Sequence, residues 1–234
     1  RKNIYRLPLT EVGCAGGASA LIYGYEFLKN RKKGKVLCLS LETPSLTLLK
    51  EDFDLENIIS TSIFADGCSC VLLEKNESKP TYAGYRILDS QMYHFPNSTH
   101  YMGYLLTNAG LKILLHKDVP DAIEQHLPSI IDGICSSTST SLKDIQDFIF
   151  HPGGKKILHR TAQFLSKFDK HLDESQYVLK HFGNMSSSTV FYVLKEMIQK
   201  YQEKISLKEN HQGIILAFGP GFSAQTLLVE WQYP

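Results

Sequence analysis

Apolar residues recur at helical spacing from Ala18 through Leu21, Ile22, Tyr25 and Leu28, so the pattern predicts a helix over residues 15–31. A basic turn and Gly34 close it, and the apolar run Lys35–Leu41 then reads as a fully buried strand. Asp66-Gly67 marks a turn, followed by a strand over Cys68–Glu74 that stops at the polar stretch Lys75–Lys79. A further strand is expected from Pro80 to Ser90, and residues 91–110, with weak periodicity and several turn formers, read as mixed loop and short helix. Helical spacing returns over Val119–Cys135, Ser141–Ile145, Gly154–Phe168 and Asn184–Tyr201, interrupted by a short buried strand, Phe148–Phe150. Gly213–Phe218 and Thr226–Gln232 form a terminal pair of strands across the Gly219-Pro220-Gly221 turn. Alternation of this kind predicts a layered α/β architecture with buried sheets.

Composition narrows the class of function. With 43% hydrophobic and 21% charged residues over 234 positions, the chain is built for one large core or two smaller ones rather than for disorder. A formal net charge of +1 provides no global field for nucleic acid. The densest basic cluster, Arg31-Lys32-Lys33, falls at a helix end, where cations complement the helix dipole. Five cysteines make an odd set, which suits reduced thiols in a cytoplasmic protein better than a disulfide framework. Cys68 and Cys70 are too close for a usual zinc pair and read as two small core residues on one strand face. No apolar run approaches the roughly 20 residues of a membrane-spanning helix.

Three segments carry candidate chemistry. Cys14 opens the small-residue stretch Cys14-Ala15-Gly16-Gly17-Ala18 at the start of the first helix. There, free backbone N–H groups can steady an oxyanion and lower a thiol pKa. The structural alternative is a buried cysteine in a tight helix-packing surface. No Gly-Lys-Ser/Thr follows, so the segment is not a phosphate loop. His151 follows the apolar triplet Phe148–Phe150, which delivers an imidazole to the carboxyl end of a strand, and Pro152-Gly153-Gly154 allows a ligand to approach closely. A satisfied core histidine is its alternative. Asn184, ahead of Met185-Ser186-Ser187-Ser188, offers an amide that does not titrate, and equally suits a helix cap. A thiol, an imidazole and an amide are together what decarboxylative Claisen condensation of thioesters requires.

The combined pattern resembles the type III polyketide synthases, the chalcone and stilbene synthase family of the thiolase-like superfamily. The matching segments are Gly13-Cys14-Ala15-Gly16-Gly17, Phe64-Ala65-Asp66-Gly67, Lys117-Asp118-Val119-Pro120, His151-Pro152-Gly153-Gly154, Gly183-Asn184-Met185-Ser186-Ser187 and Phe218-Gly219-Pro220-Gly221-Phe222, in family order. The resemblance implies an α/β, thiolase-like αβαβα architecture of two similar halves with the first half incomplete. Residues 1–79 would then be the remainder of the N-terminal half, carrying the nucleophile, and 80–234 the C-terminal half, carrying the histidine and asparagine. It implies Cys14 as the acyl-accepting nucleophile, His151 as the group that holds Cys14 as thiolate, and His151 with Asn184 as the site of malonyl decarboxylation. Phe64 would shield the reaction from water, and the Gly219-Pro220-Gly221 loop would close the cavity near Cys14, with Gly153 beside the ligand. Thr47, Gly103, Ile113 and Ser186 would shape the acyl cavity. Ile113 stands where plant chalcone synthases commonly carry phenylalanine, which points to a longer or aliphatic starter.

By the same resemblance the substrates are an acyl-CoA starter and malonyl-CoA, with no cofactor and no metal. The expected partners are a missing N-terminal segment or separate chain and a second copy in a homodimer, with no nucleic acid and no membrane span. Two other readings stand beside this one. A ketoacyl-acyl-carrier-protein synthase III shares the Cys-His-Asn logic but follows its histidine with Gln-Ala-Asn, where this chain has Pro-Gly-Gly. A non-catalytic partner subunit of a synthase would have no need of all three reactive side chains.

Overall fold

The computed structural model describes residues 3–76, 82–108, 110–203 and 211–234. A single 3-10 turn, Gly13–Ala15, runs directly into helix α1 (Gly16–Lys29). Past its end, Arg31 Nε donates to the Phe27 carbonyl at 3.1 Å and the guanidinium lies over the Phe27 ring. This is a cation's work at the negative end of a helix.

Strand β1 (Gly34–Glu42) pairs antiparallel along its whole length with β2 (Gly67–Lys75), and these two form a separate sheet. Between them lie a 3-10 turn, Pro44–Thr47, and helix α2 (Leu55–Ile63), neither of which the periodicity had marked. The expectation of a fully buried β1 is corrected. One face packs on α1, while Leu37, Leu39 and Leu41 on the other are 63%, 65% and 71% exposed. The register pairs them with Leu72, Cys70 and Cys68, so the two cysteines expected in the core lie on this open face and are exposed. Alternation of side chains explains the result: a continuous apolar run fills both faces, and here only one has a covering layer.

Strand β3 (Gly84–His94) continues four residues beyond the expected end at Ser90, while the expected start at Pro80 and the 79/80 domain boundary lie outside the described residues. Residues 91–110 contain no helix among those described. They finish β3 and form β4 (Met102–Thr107), which pairs with β5 (Gly110–Leu115) as a separate hairpin. Helix α3 (Val119–Ser136) follows. The helix expected over Ser141–Ile145 shrinks to a 3-10 turn, Leu142–Asp144, closed by a Ser141/Asp144 capping box, because Ile145 already begins β6 (Ile145–Phe150). Helices α4 (Lys155–Ser166) and α5 (Asp173–Phe182) come next, then α6 (Thr189–Glu203), β7 (Gln212–Gly219) and β8 (Ser223–Gln232). Asn184 does not begin α6; its backbone forms an isolated parallel bridge with Phe64.

The main sheet has the order β3-β8-β7-β6, with β6 and β7 parallel and the other neighbours antiparallel. Ile123, Ile130, Ile134 and Leu165 of α3 and α4 pack against Phe148, Phe150, Ile214 and Leu216 on one face. Ala18, Leu21, Val190 and Leu194 of α1 and α6 pack against Ile149, Ile215 and Leu227 on the other. Cover on both sides is why β7 and β8 are buried almost throughout, and why β7 reads as a nearly unbroken apolar run. At the edge of this sheet the buried Asp147 carboxylate accepts hydrogen bonds from the Tyr85 and Tyr201 hydroxyls, which satisfies an otherwise costly charge. The β1–β2 sheet lies beyond α1 and α6, giving four layers, α/β/α/β, whose outermost sheet is open to solvent.

Candidate active site

Cys14 sits in the 3-10 turn ahead of α1 because the glycines on either side allow its neighbours to come very close. A Cβ at Gly17 would stand 2.3 Å from the Ser187 carbonyl oxygen, and one at Gly16 would stand 3.0 Å from Ser187 Cβ. The start of α1 therefore rests on the Ser186–Ser188 turn. Gly219 is equally confined, its Cβ position lying 2.4 Å from the Val12 oxygen. Gly13, at φ +52°, faces the Pro220 ring. The expected Gly219-Pro220-Gly221 loop thus closes over the cysteine turn, with Gly221 taking the left-handed backbone that follows it.

His151 leaves the end of β6, its backbone N–H still bonded to the Leu216 carbonyl of β7 at 2.8 Å. Gly153 then reverses the chain at φ +62° and turns its carbonyl toward Asn184, whose Nδ2 donates to it at 2.7 Å. Asn184 Oδ1 accepts from the Ser186 backbone N–H at 2.9 Å, and these two bonds together fix the amide's orientation. The oxygen lies 4.0 Å from Cys14 Sγ. The asparagine is also pinned through its backbone, its N–H donating to Ile63 and its carbonyl accepting from Ala65, each at 2.9 Å. That rung brings Phe64, at the end of α2, to the same place.

Cys14, Phe64, His151, Gly153 and Asn184 line one chamber of about 20 Å³ together with Met102, Leu115, Ile157 and Phe218. The space admits about one water molecule. An open groove of about 1080 Å³ begins on the other side of the cysteine turn, lined by Gly13, Gly16, Glu42, Tyr104 and Ser187 and running along β1.

Burial governs the electrostatics. It pushes the Cys14 thiol up to about 11, helped by the nearby Glu42 carboxylate and opposed by hydrogen bonds to Ser186 and Asn184. It pushes the His151 imidazole down to about 4, and neither ring nitrogen has a hydrogen-bond partner. Burial by itself thus disfavours both charged forms, raising the thiol and lowering the imidazole. An imidazole buried without partners costs free energy unless something arrives to use it.

The remaining sequence candidates are distributed around this chamber. Ser186, at φ +50°, adjoins Cys14 and Asn184. Thr47 lies in the Pro44–Thr47 turn with its hydroxyl donated to the Pro44 carbonyl, and it does not line the chamber. Ile113 pairs with Tyr104 in the hairpin, on the face that also carries Met102 and Leu115. Gly103 lies on the opposite face, and a Cβ there meets nothing within 4 Å. Sequence reasoning passed over Met102, Leu115, Tyr104, Ile157 and Glu42. The signal available was period-two alternation in Met102/Tyr104 and Ile113/Leu115 on either side of Asn108 and Gly110. Among the described residues no group of three His, Cys, Asp or Glu side chains could hold a metal, and no helix is long and apolar enough to cross a membrane.

The family profile described as "Chalcone and stilbene synthases, C-terminal domain" matches residues 87–231. A provisionally named chalcone synthase of Bacillus subtilis (strain 168) is 36% identical over 97% of this chain and 62% of its own length. A 1,3,6,8-tetrahydroxynaphthalene synthase of Streptomyces peucetius subsp. caesius is 29% identical over 99% and 60%, and a phloroglucinol synthase of Pseudomonas fluorescens is 30% identical over 97% and 62%. The chain thus spans about three fifths of the length of these relatives. The fold matches the crystal structure of the Streptomyces coelicolor A3(2) tetrahydroxynaphthalene synthase with a TM-score of 0.86 at 23% identity, covering 97% of this chain and 63% of that one. It matches the C-terminal type III polyketide synthase domain of the Dictyostelium protein Steely1 with a TM-score of 0.84 at 24% identity, covering 98% and 63%. The architecture is thus the thiolase-like layered α/β fold, represented here in part, and the chain belongs to the chalcone and stilbene synthase family of type III polyketide synthases.

Proposed function

We propose that the protein containing this chain transfers an acyl group from coenzyme A to Cys14 and extends it by decarboxylative Claisen condensation with malonyl-CoA. The observation that carries this reading is the convergence of Cys14, His151, Asn184 and Phe64 on one small apolar chamber. In the loading step His151 accepts the Cys14 proton as the sulfur attacks the starter thioester. Coenzyme A then leaves as its thiol, taking up that proton. In the extension step malonyl-CoA loses carbon dioxide, and the enolate oxygen takes hydrogen bonds from His151 and from the second Asn184 Nδ2 hydrogen, the first being held by Gly153. The enolate carbon attacks the Cys14-bound acyl group, transferring it to the new coenzyme A ester and releasing the thiolate, which one proton from solvent returns to the thiol.

Two unpartnered ring nitrogens support this division of labour, since an imidazole can take a proton at one nitrogen and, in the other tautomer, present an N–H to an oxyanion. Phe64 and the apolar lining keep water from the enolate. An acyl chain longer than the chamber holds would leave it past Tyr104, at the end of the groove beside the cysteine turn. The expected partners are the part of the fold that the relatives have in addition to this one, in the same polypeptide or a separate chain, and a second copy.

Mass spectrometry of products from the complete protein, malonyl-CoA and a panel of acyl-CoAs tests the reading. Condensed ketides are expected, with Cys14→Ala abolishing them and Asn184→Ala reducing malonyl decarboxylation by about 10²–10³. Absence of condensation with every starter, or equal turnover after Cys14→Ala, would sink it. Exclusive use of malonyl-acyl-carrier-protein would move the assignment to a ketoacyl synthase.

A further inference from the structure

Hairpin β4–β5 forms one wall of the chamber yet shares no backbone ladder with either of the other sheets. Met102 and Leu115 on its inner face line the chamber, and Tyr104 on the same face lines the groove. Lys112 projects from the outer face, opposite Leu105. Its Nζ lies 2.7 Å from Asp52 Oδ2 and 2.7 Å from Asp54 Oδ2. Asp54 is the residue at the head of α2, and α2 ends at Phe64, which forms another part of the same chamber. Asn57, in the first turn of α2, donates to the Leu49 and Asp52 carbonyls at 2.9 and 2.7 Å, so the loop bearing both carboxylates is itself tied to the helix.

This cluster differs from the molecule's ordinary surface pairs. The Lys112 and Asp52 side chains are only 17% and 20% exposed, whereas the partners in Lys29–Glu26 and Lys35–Glu74 are about half exposed. One cation between two carboxylates, with little solvent around the Lys112–Asp52 pair and Asp54 at its exposed rim, holds two elements at a fixed spacing better than a mobile surface pair does. Both carboxylates come from one element and the lysine from the other, so the cluster links the two and does not merely decorate either.

We propose that Lys112 is a positioning residue that sets the width of the acyl site, and so the size of acyl group Cys14 accepts, by tying hairpin β4–β5 to the head of α2. The role in acyl selection rests on the proposed synthase activity; the mechanical tie does not.

The test uses the complete protein with Lys112→Met, which keeps the apolar stem and removes the charge, and Lys112→Arg, which keeps the charge. Cys14 is labelled with iodoacetamide and with the bulkier N-phenylmaleimide at one pH, and kcat/KM is measured for butanoyl-CoA and dodecanoyl-CoA. In Lys112→Met the ratio of bulky to small labelling rises by about fivefold, the scale of a partly buried ion pair, and preference moves by a similar factor toward dodecanoyl-CoA through KM. Malonyl decarboxylation keeps its kcat within about twofold, and Lys112→Arg restores both ratios. Asp54→Asn, at a largely exposed position, gives a smaller shift in the same direction and serves if Lys112→Met does not fold. An unchanged labelling ratio in folded Lys112→Met or Asp54→Asn overturns the tie. An altered labelling ratio with an unchanged acyl preference overturns its role in selection. Labelling needs no turnover, so a protein that condenses nothing defeats the synthase reading while the tie is still judged on labelling.

Discussion

At the scale of single residues, the central feature is a buried thiol whose desolvation favours the protonated form. Cys14 is buried and its thiol is raised to about 11, so in the window from pH 7 to pH 10 the thiolate is a minor form that grows about tenfold per unit. Alkylation of Cys14 by iodoacetamide is expected to follow that slope, and a rate independent of pH between 5 and 8 would instead reveal a preformed thiolate–imidazolium pair. The three reactive side chains were legible in sequence because each sits in a run of small residues whose purpose is close approach. Their protonation states were not, since desolvation depends on Ile157, Phe218 and Met102, which reach the chamber from distant elements. Asn184 shows the same division: its Oδ1 accepts from the Ser186 N–H two residues on without capping a helix, and its Nδ2 is spent on Gly153, a partner that no local pattern announces.

At the scale of elements, packing at glycines decides where the nucleophile turn can sit. Gly17→Ala adds a Cβ that would lie 2.3 Å from a backbone oxygen and 2.7 Å from Val190 Cγ1, neither being the end of a flexible side chain. Overpacking of this kind costs about 1–3 kcal/mol, and chemical denaturation should register it as a lower midpoint with an unchanged slope. Wild-type stability in Gly17→Ala would show that α1 does not rest on the Ser186–Ser188 turn as described. Helices with strong periodicity, α1, α3 and α4, and the terminal strand pair followed from sequence closely. Helix α5 and hairpin β4–β5 did not. The short α5 has few buried positions, and the hairpin places Leu105, Leu106 and Leu111 in solvent, which blurs the alternation that identifies a strand.

At the scale of the whole molecule, the stack of layers ends on an apolar sheet. Each leucine of β1's outer face would gain roughly 1.5–3 kcal/mol from full burial, so the face favours a covering layer over water. Leu39→Lys is expected to lower the melting temperature of the complete protein while making the 234-residue chain alone less prone to aggregate. Unchanged melting of the complete protein would mean that nothing covers this face. The rung between Phe64 and Asn184 stitches the segment that holds α2 and β2 to the one that holds α5 and α6. Change at the Phe64 ring therefore cannot be made without also disturbing the amide behind it, and variation among descendants of this chain should collect first at Met102 and Leu115, which can drift without touching that stitch.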